Sequence, residues 1–464
     1  IISTIKAEGS KPNIVYILAD DLGYGDLSCY GQTYFQTPNL DKMAAEGMLF
    51  TQHYAGCTVC APSRSSLMTG QHTGHTFIRG NKEWEPEGQY PLEVKAITIA
   101  EILKEAGYAT GAFGKWGLGF VGTEGDPNSQ GFDEFYGYNC QRLAHNYYPG
   151  HLWDNREKVD LEGNSGDKFE VYAPELIHQR ALQFIEKNKD NPFFLYYPNI
   201  IPHAELLLSE ENLANFRGKL LPEKDFKGAG PGDPGFREGA YGTQPEGHAA
   251  FAAMVTLLDK QVGEVLAKLK ELGLEKNTLV IFSSDNGPHQ EGGGDPDYFN
   301  SNGPLKGYKR DLYEGGIRVP MIAFWQGKIL PGTKSDLASS FWDVMPTVAE
   351  LAGIKTPENI DGISFLPTLL GKEDQKQHDY LYWEFHEMGG RRALRKGDWK
   401  LVQYNVFYAD KTTTELYNLA TNIGEERNVA AENQELVKEM LELMNSARTD
   451  SKVFPFQSPA INRQ

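Results

Sequence analysis

The sequence predicts an α/β fold in which a large, mixed and mainly parallel β-sheet is sandwiched by helices. Short apolar segments alternate with longer amphipathic segments over the first 370 residues, and this alternation is typical of parallel sheets covered on both faces. After about Gly371 the pattern changes to several short strands and one closing helix. We therefore predict a large domain over residues 1–370 and a smaller C-terminal α+β subdomain, with a small antiparallel sheet, over residues 371–464.

The predicted strands of the large domain are compact runs of apolar residues. Short apolar runs of this kind are typical of buried strands. These runs lie at residues 13–18, 108–113, 193–197, 278–283 and 321–325.

The predicted helices are marked by capping residues and by apolar residues at helical spacing. Thr98 and Glu101 form a capping box that predicts a helix ending at Gly107. Apolar residues on one face predict a long helix over residues 248–272. Two further helices are predicted at residues 37–47 and 174–189.

Two regions lack this alternation. Residues 217–247 are rich in glycine and proline without periodicity, and this predicts a long surface loop that acts as a lid or as a substrate wall. In the C-terminal subdomain we predict short strands at 380–385, 393–395 and 400–404 and a helix at 434–444.

Charge and hydropathy limit the possible partners. The chain of 464 residues has a net charge of −18, which argues against nucleic-acid binding and repels long polyanions. An anionic substrate must therefore be held by local cations, and a small or chain-terminal substrate is favoured. No apolar run is long enough to cross a membrane. The first residues, Ile1 to Lys11, do not form a signal peptide, and we expect one to have been removed from a periplasmic or secreted protein.

The chain has four cysteines: Cys29, Cys57, Cys60 and Cys140. The spacing of Cys57 and Cys60 is that of a redox pair or of half a zinc site. Zinc is disfavoured because a second close pair is missing. Four cysteines in so long a chain do not form a disulfide framework, although a single bridge among Cys29, Cys57 and Cys140 remains open.

The stretch around Cys60 carries the strongest chemical signal. Its sequence is Val59-Cys60-Ala61-Pro62-Ser63-Arg64-Ser65-Ser66-Leu67-Met68-Thr69-Gly70. Pro62 suits the first position of a helix and Gly70 suits its end. Cys60 would then lie at a helix N-terminus, where backbone N–H groups favour an anion, with Arg64 on the same face one turn later. The alternative is an inert cysteine buried before a short helix.

Polar residues follow four of the predicted strands. Because ligands of open α/β sheets bind outside the carboxyl ends of strands, we expect these residues to converge. The oxygen donors among them suit a hard cation, calcium before magnesium, and not zinc. Taken singly, each pair is also a common turn or helix cap. The residues are Asp20 and Asp21, Lys115, His203, and Asp285 with Asn286.

The Cys60 stretch resembles the signature of the formylglycine-dependent sulfatases of the alkaline-phosphatase superfamily. All fixed positions of Cys-x-Pro-Ser-Arg followed by Leu-x-Thr-Gly are present. The resemblance extends over nearly the whole chain. Its further motifs are Asn13-Ile14-Val15 with 20–26, Gly114-Lys115-Trp116 with Leu118-Gly119, 284–287, Lys309 with 313–320, and 416–419 with 428–430.

This resemblance implies an alkaline-phosphatase-like fold, a catalytic domain over residues 1–370 and roles for the strand-end residues. Lys115, His203 and Lys309 would contact the sulfate group, and Arg64 would hold the nucleophile. The implied ligands of one calcium ion are Asp20, Asp21, Asp285, Asn286 and the modified side chain of Cys60.

The resemblance also implies a covalent mechanism. A maturation enzyme would oxidise Cys60 to formylglycine, whose hydrate attacks sulfur and expels the alcohol. The leaving alcohol needs a proton, for which His203 or Lys115 is the candidate. The second hydroxyl then loses its proton, and sulfate leaves as the aldehyde forms again.

Position 117 departs from the family pattern. Many members have a histidine between the Trp and Leu of Gly-Lys-Trp-x-Leu-Gly, and that histidine is thought to take the proton in the release step. Here the residue is Gly117, so this role cannot be transferred. His72, His75 and His289 are near other motifs, and our hypothesis places His289, four residues after Asp285, in the substrate pocket.

The substrate is predicted less directly. Arg79, which follows the Cys60 stretch, could hold a sugar hydroxyl or acid group, or could equally be solvated. The chain resembles bacterial carbohydrate sulfatases more than steroid or choline sulfatases, and a terminal sulfated hexose such as galactose or N-acetylgalactosamine is favoured. The alternatives are a phosphonate or phosphate ester hydrolase of the same superfamily and a non-catalytic binder of sulfated glycans.

Overall fold

The computed structural model describes residues 11–84 and 87–457. The expectation that Ile1 to Lys11 form no signal peptide concerns mainly residues 1–10, which lie outside the described residues. None of the described helices is long and apolar enough to cross a membrane.

The strands lie in both the large and the C-terminal parts of the chain. In chain order they are β1 Asn13–Ala19, β2 Met48–Tyr54, β3 Glu83–Trp84, β4 Gly88–Gln89, β5 Ala109–Lys115, β6 Glu134–Tyr138, β7 His151–Asp154, β8 Glu157–Asp160, β9 Phe193–Pro198, β10 Thr278–Ser284, β11 Arg318–Phe324, β12 Thr333–Ser335, β13 Ser339–Ser340, β14 Leu381–Phe385, β15 Arg391–Lys396, β16 Trp399–Tyr404 and β17 Thr413–Asn418.

The α-helices separate these strands, with short 3₁₀ turns between some of them. In chain order they are α1 Pro38–Glu46, α2 Cys60–Thr69, α3 Ile99–Glu105, α4 Ala173–Lys187, α5 Glu210–Ala214, α6 Gly247–Glu271, α7 Glu314–Ile317, α8 Val344–Ala352, α9 Leu366–Leu369 and α10 Gln434–Ser446.

The large sheet confirms the predicted fold class. Its strand order is β12–β2–β11–β10–β1–β9–β5–β6–β7–β8, with β13 also pairing with β2. The central strands β10, β1, β9, β5 and β6 are parallel to their neighbours in this group. Antiparallel pairs β10–β11 and β6–β7 flank them, so the sheet is mixed and mainly parallel.

Helices cover both faces of this sheet, because alternate side chains of its central strands point to opposite sides. Val15 and Ile17 of β1 pack in one core with side chains of α1, α4 and α6. Ile14 and Tyr16 pack in a second core with side chains of α2, α3 and α8. Buried strands of this kind have near-continuous apolar sequences, which is why the sequence predicted them.

The predicted boundaries are close to the observed ones. The capping box at α3 is formed: the Glu101 N–H donates to Thr98 Oγ1 at 3.2 Å, and the Thr98 N–H donates to Glu101 Oε2 at 2.8 Å. The helix ends at Glu105, before the predicted Gly107. Helix α2 begins at Cys60, so Pro62 is its third residue. A proline is tolerated there because the first-turn N–H groups have no partner within the helix.

Strand β2 was not predicted, because its second half is polar. Thr51, Gln52 and His53 interrupt the apolar pattern of Met48–Tyr54. The long segment before α6 is irregular, as predicted, and in this described stretch it has single β-bridges such as Phe226 with Gln244.

The C-terminal sheet has the antiparallel order β14–β15–β16–β17. One face packs with α10 through residues such as Leu394 and Met440. The other face packs on the large part of the molecule, where Trp383 shares a core with Tyr54 and Trp342. The exact boundary predicted at residues 370 and 371 stays a prediction.

Candidate active site

Strand order brings the predicted site residues together. Strands β10, β1, β9 and β5 are adjacent and parallel, so their carboxyl ends lie at one edge of the sheet. Lys115 is the last residue of β5, and Asp20, His203 and Asp285 follow β1, β9 and β10. The convergence expected from the sequence is therefore produced by the topology.

The turn after β1 directs Asp20 and Asp21 in different directions. Asp21 has a φ of 63°, a left-handed conformation that aspartate tolerates better than most residues. Its N–H donates to Asp285 Oδ1 at 3.1 Å, and the Leu22 N–H donates to Ser284 Oγ at 2.8 Å. The two strand ends thus hold each other in place.

A buried cluster of oxygen atoms at this edge fits a cation. Ligand atoms of Asp20, Asp21, Cys60 and Asp285 all lie within 4.8 Å of one another. Asn286 donates through Nδ2 to Asp21 Oδ1 at 2.6 Å, whereas its Oδ1 has no hydrogen-bond partner within the described chain. A buried amide oxygen without a partner is costly and is a ligand that calcium accepts.

The charges of the cluster also favour a cation. Burial and the neighbouring Asp20 carboxylate raise the pKa of Asp285 to about 7, although Arg64 opposes this. Burial alone would raise the pKa of Asp20 as well, but nearby positive charges, with Lys115 the strongest, hold it well below its usual range. A bound cation would keep all the carboxylates ionised.

Cys60 lies at the N-terminal end of α2 and is surrounded by charge. Its Sγ is 3.3 Å from Lys115 Nζ and 3.5 Å from Asp20 Oδ1. Burial nevertheless raises the pKa of the Cys60 thiol well above its ordinary value. An unmodified Cys60 is therefore a neutral thiol and a poor nucleophile, because the thiolate is the reactive form.

Arg64 lies one turn after Cys60 and is fully buried. Its Nη2 is 2.8 Å from Asp285 Oδ2 and 3.5 Å from Asp20 Oδ1, and its Nη1 donates to the backbone oxygen of Lys115. The guanidinium therefore ties three strand ends together and neutralises part of the acidic cluster.

Two buried lysines supply positive charge on either side of this cluster. Lys115 Nζ is 2.7 Å from Asp20 Oδ2, and Lys309 Nζ is 2.8 Å from Asp21 Oδ2. Burial would lower the pKa of each, but the adjacent carboxylates outweigh it and raise both. Both side chains are thus charged, which suits the binding of an anionic ester.

His203 and Lys309 form a pair. Lys309 Nζ lies 3.0 Å from His203 Nε2, and His203 Nδ1 donates to the Ala204 carbonyl oxygen. Burial and the Lys309 charge hold the pKa of His203 well below its ordinary value. His203 is therefore neutral, with the proton on Nδ1 and Nε2 accepting from Lys309.

Comparison with known proteins identifies the family to which this site belongs. The family model described as Sulfatase matches residues 12–354. A second model, described as N-sulphoglucosamine sulphohydrolase, C-terminal, matches residues 307–450. The chain belongs to the sulfatase family. It is a sulfuric ester hydrolase, as the Cys60 stretch predicted.

Curated relatives of this sulfatase extend over most of its length. Human arylsulfatase A is 34% identical over 436 residues, which cover 88% of this chain and 78% of the relative. N-acetylgalactosamine-6-O-sulfatase of Bacteroides thetaiotaomicron is 30% identical over 514 residues, covering 95% of this chain and 93% of the relative.

A solved structure has the same architecture. The crystal structure of Ps i-CgsB in complex with k-i-k-neocarrahexaose is 28% identical, with a TM-score of 0.77. The match covers 94% of this sulfatase and 92% of that chain.

The two substrate-binding candidates of this sulfatase lie in different places. His289 is buried with its ring centroid 5.6 Å from that of His203. Its Nε2 donates to the Pro202 carbonyl oxygen at 3.1 Å, and its Nδ1 accepts from the Glu291 N–H at 3.1 Å. Both ring nitrogens are thus engaged by backbone, and a direct substrate role for His289 stays a prediction.

Arg79 is 3% exposed and is not solvated. Its Nη1 is 3.2 Å from Glu384 Oε1 and 2.7 Å from the Thr449 carbonyl oxygen. These partners belong to β14 and to the chain after α10, so Arg79 links the segment after α2 to the C-terminal sheet. Its substrate role stays a prediction.

Several residues of the site were not predicted from the sequence. Glu291 accepts from Lys309 Nζ at 3.3 Å and also pairs with Arg310. Tyr241, in the segment before α6, donates to Glu291 Oε2 at 3.2 Å. His145 stacks on His203. These residues belong to none of the motifs. Arg310 could have been predicted to lie near the site, because it directly follows Lys309.

The cysteines do not form a bridge. All four are free, so the disulfide left open by the sequence among Cys29, Cys57 and Cys140 is not formed. Cys57 is fully buried in the core below the C-terminal sheet.

Proposed function

We propose that this sulfatase removes O-sulfate from a carbohydrate, with a terminal galactose or N-acetylgalactosamine sulfate as the favoured substrate. The observation that carries the proposal is the contact of buried Cys60 with Lys115 on one side and Asp20 on the other. Support for a sugar comes from the relative named N-acetylgalactosamine-6-O-sulfatase, which aligns with 95% of this chain. The solved structure with a bound oligosaccharide also supports it.

We further propose that Cys60 is converted to formylglycine by a maturation enzyme. The neutral, buried thiol supports this, since it cannot act as a thiolate. Hydrated formylglycine supplies a hydroxyl nucleophile for attack on sulfur. The side chain at position 60 would then meet the substrate at the point where the two lysines and the acidic cluster approach each other.

The proposed cofactor is one calcium ion. Its ligands would be Asp20, Asp21, Asp285, Asn286 and the modified side chain of Cys60. The free Oδ1 of Asn286 and the crowding of the carboxylates support this assignment. When bound, the ion would supply positive charge that stabilises the negative charge developing on the sulfate ester.

Arg64 would act by positioning other groups. It binds Asp285 and the backbone of Lys115 at the same time, so it fixes two of the strand ends on which catalysis depends. Because the guanidinium is always charged and binds several acceptors at once, lysine could not replace it.

The charged lysines would bind the sulfate. Lys115 and Lys309 approach the cluster from opposite ends through Asp20 and Asp21, and each can donate to a sulfate oxygen. Fixed positive charges aimed at the ester stabilise a transition state in which negative charge spreads over these oxygens and the leaving oxygen.

The Lys309–His203 pair would deliver the proton to the leaving alcohol. In the resting site the proton is on Lys309, 3.0 Å from His203 Nε2. An alcohol is a poor leaving group and needs protonation as the bond to sulfur breaks. The proton that leaves the pair is replaced from solvent after the product alcohol departs.

A periplasmic or secreted location would fit this function, because sulfated polysaccharides are found outside cells. The proposal therefore includes export from the cytoplasm. It also includes a maturation enzyme in the same cell as an obligatory partner.

A substrate panel would test this function. The enzyme would be produced in a host with maturation machinery, and the mass of the Cys60 peptide would be measured. Sulfate release would be compared for regioisomeric galactose and N-acetylgalactosamine sulfates, 4-nitrophenyl sulfate and matched phosphate esters, with Cys60→Ala as control. We expect formylglycine and preferred release from one sugar sulfate. Activity on the aryl sulfate alone, or a preference for phosphate, would contradict the proposal.

A further inference from the structure

His145 lies in the site without belonging to any of the motifs. It follows β6, and its ring is parallel to that of His203, with an interplanar angle of 9° and a centroid distance of 5.0 Å. Tyr241 is a second neighbour, with ring centroids 4.9 Å apart, and it also lies 6.2 Å from the His203 ring. The imidazole is therefore packed against two neighbouring rings, which limit its rotation.

The tautomer of His145 is fixed by the segment before α6. Its Nδ1 is 2.8 Å from the carbonyl oxygen of Gly239, and a carbonyl can only accept a hydrogen bond. The proton is therefore on Nδ1, and Nε2 is a bare acceptor. Within the described residues this nitrogen has no hydrogen-bond partner.

The neighbouring histidines differ from His145 in this respect. His203 uses Nδ1 for the Ala204 carbonyl and Nε2 for Lys309. His289 uses both of its nitrogens for backbone groups. Of these three histidines, His145 alone presents a free acceptor in the described part of the chain.

The surroundings keep His145 neutral. Burial lowers its pKa to about 4, and the charges of Lys115 and Lys309 act in the same direction. A neutral nitrogen lone pair repels the oxygens of a sulfate group, which are themselves acceptors. The complementary ligand group is a hydrogen-bond donor that lies beside the sulfate.

We propose that Nε2 of His145 accepts a hydrogen bond from a hydroxyl group of the sulfated sugar, next to the ester that is cleaved. His145 is thus a substrate-binding residue that favours sugar sulfates over aryl sulfates, which carry no such donor. This inference rests on the proposed function, because it requires a substrate with hydroxyl groups.

Two substitutions distinguish the roles of the two ring nitrogens of His145. In His145→Asn the amide nitrogen can still donate to Gly239, but the acceptor at the Nε2 position is lost. In His145→Gln the amide oxygen can reach the Nε2 position. The control is His378→Asn, which removes a partly buried histidine whose Nε2 is 2.7 Å from Asp343 Oδ1, in the region before β14.

The measurement is kcat/KM for the preferred sugar sulfate and for 4-nitrophenyl sulfate. We expect His145→Asn to lower the sugar value about tenfold, the effect of one lost hydrogen bond, and to leave the aryl value within about twofold. His145→Gln should recover part of the loss. In the wild type, the deoxy analogue that lacks the bound hydroxyl should show the same decrease, and His145→Asn should not lower it further.

Two results would overturn the inference. An equal loss of kcat on both substrates would show that His145 acts on the chemical step, and an unchanged sugar value would show that it does not bind substrate. If His145→Asn does not fold, the deoxy analogues with wild-type enzyme decide the question. A wild type that releases no sulfate from any sugar would instead refute the proposed function itself.

Discussion

The side-chain amide of Gln141 occupies the space into which a side chain at position 117 would extend. A Cβ atom on Gly117 would lie 1.7 Å from Gln141 Nε2, and Gly117 has a φ of +78°. The Gly117 N–H also donates to the Asn139 carbonyl oxygen at 3.0 Å. The absence of the usual family histidine is therefore part of the local packing and involves the segment after β6.

We predict that Gly117→His is less stable and less active than the wild type. The new side chain would collide with Gln141 and would adopt a left-handed backbone conformation that costs about 1–2 kcal/mol. Gly117→His combined with Gln141→Ala should recover part of the lost thermal stability. Melting temperatures and kcat for both variants would check this, and equal stability of the single and double variants would contradict it.

We predict that the enzyme is inactive when Cys60 is unmodified. The Cys60 pKa is raised by burial, so the thiol stays neutral at ordinary pH. Protein made in a host without maturation machinery should show an unmodified Cys60 peptide and no sulfate release, like Cys60→Ala. The extent of formylglycine by mass spectrometry should be proportional to kcat across preparations. Turnover by fully unmodified protein would refute the role of the modification.

Removal of calcium should destabilise the protein and abolish activity. The acidic cluster is fully buried, and a ligand present at about 100 times its Kd stabilises the folded state by about 2.7 kcal/mol. We expect chelation to lower the melting temperature and calcium to restore it. Asn286→Ala should weaken this response, because it removes the free Oδ1. A chelated enzyme with an unchanged melting temperature and activity would exclude the calcium site.

Arg79→Met should reduce stability without raising KM. Arg79 pairs with Glu384, which keeps Arg448 as a second partner, so the loss should be smaller than the cost of about 3–5 kcal/mol for a buried pair left with an uncompensated charge. Chemical denaturation would measure the free energy of unfolding, and steady-state kinetics would give KM for the sugar sulfate. An increased KM with unchanged stability would instead support the substrate role predicted from the sequence.

The stability of the protein should depend on the titration of Asp26. Burial raises the pKa of this carboxyl to about 7 in the folded state. The folded protein therefore keeps a proton that the unfolded chain releases, and the stability associated with Asp26 is lost as the pH rises from about 4 to about 7. The side chain in Asp26→Asn does not titrate. The free energy of unfolding of this variant, relative to wild type, should therefore increase as the pH rises over this range.

The difference in free energy of unfolding between Asp26→Asn and wild type should change by on the order of 2 kcal/mol between pH 5 and pH 8. Denaturation curves of both proteins at the two pH values would measure it. A difference that is the same at both pH values would show that Asp26 is already ionised in the folded protein.

Much of the fold could be predicted because the central strands are buried on both sides. Their apolar runs, such as Asn13–Ala19 and Thr278–Ser284, are recognisable without knowledge of their neighbours. Strand β2 was missed, since its polar residues are accommodated by pairing with β11 and β12. Such pairing depends on distant parts of the chain and leaves no local pattern.

The sequence by itself determined the family, and it predicted Cys60 as the reactive position and the oxygen donors at the strand ends. These are local features: a continuous motif, or a charged residue directly after an apolar run. The alternation of strands and helices predicted a mainly parallel sheet, and such a sheet brings these strand ends to one edge.

Only the tertiary structure decided how the individual side chains are used. It placed Arg79 against Glu384, and engaged both nitrogens of His289. It also filled the space beside Gly117 with Gln141 and left Nε2 of His145 free within the described residues. The physical reason is that hydrogen bonding and burial depend on contacts between residues that are far apart in the sequence.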